Sequence, residues 1–221
     1  MLFVPRVKEH IAKFLYTPPS WFQLLDWIAV FGNANPIEID LGCGDGTFLV
    51  QRASKHPERN FIGVERLLGR ARKVDRKAQR LGITNVRVLR IESSYAMGFL
   101  FPAGSVSIIH ILFPDPWPKK RHHRRRLLQA EFVATLTKAL VARGEIQFAT
   151  DHSEYFEEAV VTFRESGAWE EFNFPVPTAE EMTDFEKDFV AQGKPINRAG
   201  FRLRARPCES AQSGGSALVI V

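Results

Sequence analysis

The chain has 221 residues, 45% of them hydrophobic and 25% charged, an ordinary globular composition with enough length to bury a core unaided. Its two cysteines, Cys43 and Cys208, stand far apart and outside any C-x-x-C spacing, and no apolar run reaches the ~20 residues of a membrane span, so a disulfide framework, a metal centre and a membrane anchor are not expected and a cytoplasmic location is. The net charge is +5, yet residues 119–126 alone hold six Lys/Arg; removing these six leaves −1, so the excess is local, as on a surface that meets an anion.

Residues 1–35 form a lead-in whose first nine residues lack the basic-then-apolar order of a signal peptide. Ser20 with Gln23 three places on is a capping-box pattern and predicts a helix over 21–30. From residue 36 strands and helices alternate. Strands are predicted over 36–41, 60–65, 85–91, 106–113 and 144–150; helices over 47–56, 66–81 with Gly82 as its stop, 124–141 and 154–166. Such alternation builds βαβ units on a parallel sheet, and the continuous apolar run VSIIHILF at 106–113 suits a strand covered on both faces. Past Trp169 the alternation ends. Residues 201–206 (FRLRAR) have period two and predict a strand with one wet face, and the small polar run 210–216 predicts a mobile tail. With no internal repeat and no second composition regime, one α/β domain over 36–207 is expected, between a helical lead-in (1–35) and a tail (208–221).

The turn after the first strand of the alternation reads Asp40-Leu41-Gly42-Cys43-Gly44-Asp45-Gly46 and precedes a helix, the context in which a glycine loop signifies ligand binding. Its G-x-G-x-G spacing differs from the G-x-G-x-x-G of dinucleotide binders, and no Lys-Ser/Thr follows, which excludes a P-loop. An acid two residues before the first glycine suits a cationic ligand better than a pyrophosphate. S-adenosylmethionine carries an ammonium and a sulfonium, and the loop resembles motif I of the class I methyltransferases. Glu65 ends the next strand, nineteen residues after Gly46, where an acid can accept both ribose hydroxyls. Glu38 shares a strand face with Asp40 and reads as structural.

Phe113-Pro114-Asp115-Pro116-Trp117-Pro118-Lys119-Lys120-Arg121-His122 follows the apolar strand directly. Two prolines around Asp115 fix the backbone and hold one carboxylate in place. The stretch closely resembles the signature of the bacterial tRNA (guanine-N7-)-methyltransferases. Ala149-Thr150-Asp151 is similar to their A-T-D, Thr183-Asp184-Phe185-Glu186 to their T-x-F/Y-E, and Gly193 with Ile196-Asn197-Arg198 to the segment that follows. The resemblance spans roughly residues 36–203.

It implies a Rossmann-like class I methyltransferase fold, with a mostly parallel seven-stranded sheet and helices on both faces. It also implies methyl transfer from S-adenosylmethionine, without a metal, to N7 of a guanine in the variable loop of tRNA; no obligate protein partner is evident in the sequence. Carried over residue by residue, it places Asp40, Gly42, Gly44, Gly46, Glu65, Glu92 and Asp115 at the cofactor. Asp115 is also the catalytic residue, and Lys119, Asp151, Thr183, Asp184, Phe185 and Glu186 meet the substrate. Asp40 stands where the family often has Glu, and Glu92 where it often has Asp.

The basic run is read as the start of the helix 124–141. Cations there oppose the helix dipole, so a phosphate partner explains them better than stability does. A second stripe, Arg66, Arg70, Lys73, Lys77 and Arg80, follows one face of the helix 66–81. Rival readings are a methyltransferase acting on another RNA base or a protein amide, and a non-catalytic RNA-binding protein of the same fold. The amine and amide enzymes usually carry D/N-P-P-Y/W after this strand, whereas Asp115-Pro116-Trp117 is one proline short; intact Asp40, Glu65 and Asp115 argue against a non-catalytic protein.

Overall fold

The computed structural model describes residues 12–205. The expectations for residues 1–9, for Arg206 and for the tail 208–221 with Cys208 lie outside them. In chain order the strands are β1 Leu15–Tyr16, β2 Ile37–Leu41, β3 Asn60–Val64, β4 Val86–Leu89, β5 Val106–Leu112, β6 Leu140–Thr150, β7 Trp169–Phe172 and β8 Asn197–Leu203. The helices are α1 Trp27–Phe31, α2 Thr47–Lys55, α3 Leu68–Leu81, α4 Ser93–Tyr95 running into a π turn Ala96–Leu100, a 3-10 turn Lys120–Arg125, α5 Ala130–Ala139, α6 Ser153–Glu165 and α7 Asp184–Ala191.

One sheet takes the order β1-β4-β3-β2-β5-β6-β8-β7, parallel from β1 to β6 and antiparallel at β6–β8 and β8–β7. Alternate residues feed two cores on opposite faces: Phe61, Val86 and Val88 pack with α2 and α3, while Ile62, Val64 and Leu89 join the core that includes α5 and α6. α3 ends as expected, with Gly82 at φ 65° closing its last turn.

The structure corrects four expectations. The sheet has eight strands rather than seven, because Leu15–Tyr16 pairs beside β4; buried Asp75 of α3 holds this strand by accepting the backbone N–H groups of Lys13, Phe14 and Leu15. The helix expected over 21–30 shrinks to α1. Ser20 caps only a turn, at Phe22 N–H, and Asp26 accepts from Ile28 and Ala29 instead. The helix expected from residue 124 begins at Ala130, because Arg126 is extended and closes the 3-10 turn. The last strand runs over Asn197–Leu203 rather than from 201; β7 and α7 are additional elements.

Candidate functional site

Connections run one way along the sheet from β2 through β3 to β4, then return to the other side of β2 at β5. The β2–β5 gap is therefore a topological switch point, where the loops at the strands' carboxyl ends part and leave a crevice. The glycine loop leaves β2 on one side of that crevice and the Asp115 loop leaves β5 on the other. Five of the acids singled out in the sequence end or follow adjacent parallel strands at this edge: Glu92 after β4, Glu65 after β3, Asp40 in β2, Asp115 after β5 and Asp151 after β6.

Gly42, Gly44 and Gly46 all take left-handed backbone, with φ of 79°, 57° and 76°. A Cβ on Gly42 would meet nothing within 4 Å, whereas one on Gly46 would lie 2.7 Å from Val74 of α3. The first glycine thus faces open space and the third lets two elements close. Gly42 and Cys43 donate their N–H groups to Val64 O. Glu65 is buried, and its two oxygens accept from Gly44 N–H at 3.1 Å and Leu67 N–H at 2.6 Å. Burial, with the Glu65 carboxylate beside it, pushes the Asp40 carboxyl up to about 8. Burial also pushes the Cys43 thiol well up, which leaves it an inert packing group. Glu92 is exposed and caps α4, accepting from Tyr95 N–H at 2.9 Å.

Glu38 is structural, as its strand face suggested. Fully buried, it accepts from Arg52 at 2.6 Å and pairs with Arg59 at 3.1 Å and His110 at 2.9 Å. Burial alone would raise its pKa, but His110 and Arg52 hold it down at about 2.

Asp115 is exposed between Pro114 and half-buried Pro116, and among the described residues no hydrogen bond or ion pair engages its carboxylate. The same holds for the half-buried Asp151 and for the exposed Lys119. No bond ties these three side chains to the glycine loop. α7 does reach that loop: Asp184 accepts from Thr47 Oγ1 at 3.0 Å, and Thr47 also bonds Asp45 and Lys77. Phe185 is half-exposed and lies near Phe189 at 6.4 Å between centroids, with Arg70 of α3 6.0 Å from its centroid; Phe189 in turn meets Phe113 of the Asp115 loop at 5.5 Å. The other two residues of the motif bond within the protein. Thr183 caps α7 through Glu186 N–H at 3.0 Å, and buried Glu186 pairs with Arg198.

The basic run divides. Lys119, Lys120, Arg121, Arg124 and Arg125 are exposed, while Arg126 is 2% exposed and bonds inside the protein. The run precedes α5 instead of opening it, so the helix-dipole argument for an anion falls away and only the exposed charge remains. On the α3 stripe Arg66, Arg70, Lys73 and Arg80 are exposed, and Lys77 is taken by Asp45 at 2.7 Å. Sequence reasoning missed Asp45, Thr47, Phe189, Arg126 and Arg198 as parts of the site's framework. The T-x-x-E spacing of 183–186, a capping pattern, was the available signal for α7. Among the described residues no helix is long and apolar enough to cross a membrane.

The model of a family described as putative methyltransferases matches residues 34–199. A tRNA (guanine-N(7)-)-methyltransferase of Syntrophotalea carbinolica is 35% identical over 192 residues, covering 84% of this chain and 82% of the relative. One from Geobacter metallireducens is 40% identical over 150 residues, covering 68% and 71%. Among solved structures, the 16S rRNA methyltransferase KamB superposes with a TM-score of 0.61 at 16% identity, covering 84% of this chain and 95% of that one, which shows a common fold. With the motif-bearing loops on both sides of the crevice and relatives matched over most of their length, the chain belongs to the tRNA (guanine-N7-)-methyltransferase family.

Proposed function

We propose that the chain transfers a methyl group from S-adenosylmethionine to N7 of a guanine in the variable loop of tRNA, the catalytic domain being residues 36–207. The observation that carries this reading is the pairing across the switch point. A glycine loop flanked by two buried acids leaves β2, and an exposed carboxylate set between two prolines follows the neighbouring β5.

The residues fit the cofactor. Gly42 opens onto free space, and the carboxyl groups of Glu65, Glu92 and Asp40, the last once ionised, suit a cation. Glu65 keeps lone pairs beyond the two that its backbone donors use, enough to accept ribose hydroxyls. Asp40 would face the ammonium end, and the free oxygen of Glu92 the adenine amine. When bound, the cofactor supplies an electrophilic methyl group on a sulfonium.

Guanine N7 has a free lone pair and loses no proton, so the protein needs no strong base there. Its task is alignment, worth up to ~7–11 kcal/mol where reacting atoms are well placed. Asp115 accepts the guanine N1–H and exocyclic amine, and its charge offsets the cation that develops on the base. Asp151 lines the same edge. Half-exposed Phe185 offers a face for stacking, and Lys119 offers a charge for the phosphate next to the target. Thr183, Asp184 and Glu186 act here by fixing α7 over the glycine loop. Because N7 lies in the deep groove of an A-form helix, the target must be presented from a loop.

Incubating the protein and labelled cofactor with unmodified bulk tRNA, followed by nucleoside analysis, tests the reading. The expected product is 7-methylguanosine; methyl on another base or on protein, or no transfer, rejects it.

A further inference from the structure

The Asp115 loop is held in an unusual backbone. Phe113 and Trp117, two and two residues either side of Asp115, both lie in the left-handed region, at φ 53° and 44°. Bulky residues keep such angles only where their surroundings impose them. On the near side the imposition is visible: Phe113 N–H donates to Ala149 O at 2.8 Å, and its ring rests on Phe189. On the far side the Trp117 ring meets His122 at 5.9 Å and the exposed Arg125 guanidinium at 5.0 Å, but the backbone still needs an anchor, and Asp115 itself supplies none.

That anchor is Arg126. It is the last of six cations in a run that reads as one solvated surface, yet its side chain is 0% exposed. Its Nε donates to the carbonyl of Pro116, the residue after Asp115, at 2.9 Å. The guanidinium lies 5.2 Å from the centroid of Tyr155 and pairs with Glu158 and, at 3.8 Å, with Glu154. Those glutamates stand four residues apart on α6, one helix face. The pairing compensates a charge that burial would otherwise disfavour, and it ties the loop to a rigid helix packed on the sheet. His123 lies 3.3 Å from Glu158, and with Glu154 these side chains resemble a metal-ligand set; the Arg126 guanidinium, bonded to Glu158 and 3.8 Å from Glu154, already places a cation there.

We infer that Arg126 is a positioning residue for the reaction: it sets where the Asp115 carboxylate stands by holding the Pro116 carbonyl, and it does not bind tRNA phosphate. The inference rests on the reading of Asp115 as the carboxylate that meets the target base. Arg126→Lys keeps the charge for Glu158 but cannot also reach the Pro116 carbonyl in the guanidinium's fixed geometry. The test measures this variant by methyl transfer at saturating cofactor and tRNA, by tRNA affinity across a salt series, and by hydrogen exchange at the loop's N–H groups, those of Phe113, Asp115, Trp117 and Lys119.

A fall in kcat of about 10- to 100-fold is expected, with tRNA affinity within about twofold of the parent, an unchanged salt slope and faster exchange confined to the loop. Unchanged kcat with unchanged exchange overturns the inference. So does a weaker, flatter salt dependence at parental kcat, the mark of a phosphate contact. Should Arg126→Lys not fold, Glu158→Ala decides: Glu158 is half-exposed, and its loss removes the carboxylate that the guanidinium bonds, so that Arg126 holds the Pro116 carbonyl from a loosened position. Faster loop exchange and lower kcat support the inference, and parental values overturn it. Parent enzyme and Asp115→Ala run alongside: an inactive parent rejects the proposed function itself, while the exchange measurement still reports on the anchor.

Discussion

If Asp40 meets the cofactor's ammonium, as proposed, cofactor binding should release a proton. Its carboxyl is pushed up to about 8 by burial and by neighbouring Glu65, so it is mostly protonated at pH 7 in the free protein. A cationic amine seated beside it favours the carboxylate. If only the ionised form accepts that amine, apparent affinity follows the ionised fraction, roughly one-eleventh at pH 7 and one-hundredth at pH 6. Affinity should therefore rise about tenfold from pH 6 to pH 7, with about 0.9 proton released per cofactor bound at pH 7. Titration calorimetry at pH 7 in two buffers of different ionisation enthalpy measures that proton directly. Asp40→Asn, which cannot ionise, should bind more weakly than the ionised parent and show no buffer dependence. Equal heats in both buffers for the parent would refute the reasoning, because Asp40 would then not change state beside the cofactor.

Asp115→Ala should lower kcat by at least about 100-fold with the melting temperature unchanged, since the carboxylate is exposed and unbonded; near-parental turnover in a steady-state assay would remove it from the mechanism. Replacing Lys120, Arg121, Arg124 and Arg125 with Gln, and sparing buried Arg126, should reduce the slope of log affinity for tRNA against log salt by roughly two to four while cofactor affinity holds. A parental slope in filter binding would make the run a solvated face and redirect the search to the α3 stripe. Glu38 gives the fold an acid sensitivity. Its folded pKa of about 2 lies below the ordinary glutamate value of 4.5, so its stabilisation is complete above pH 4.5 and disappears as pH falls toward 2. The shift corresponds to about 3 kcal/mol, and urea unfolding of Glu38→Gln should lack that part of the acid dependence.

Much of the fold and the motif positions were legible because their signals are local. Glycines at 42, 44 and 46 between a strand and a helix, Gly82 at a helix end, and an apolar run closed by Phe113-Pro114 each fix the backbone within a few residues. What escaped depends on distant partners. Leu15–Tyr16 becomes a strand because Asp75, some sixty residues on, receives the N–H groups of Lys13, Phe14 and Leu15. Ser20 and Asp26 both offer caps, and packing around Leu25, whose N–H donates to Leu100 O, selects the second. Composition cannot single out Arg126 from five other cations, because Glu154, Glu158 and the Pro116 carbonyl that bury it come from elsewhere in the chain. Glu186 matched a capping box in sequence, yet Arg198 of β8 claims its carboxylate.

The central claim, methylation at guanine N7, is tested most directly on two transcripts of one tRNA, identical except that the second carries 7-deazaguanosine at the mapped target. The account predicts stoichiometric methyl incorporation into the guanosine transcript and none into the 7-deaza transcript, which keeps the N1–H and amine that Asp115 would accept and lacks only the acceptor nitrogen. Equal incorporation into both would contradict it, since the methyl group would then be going to another atom.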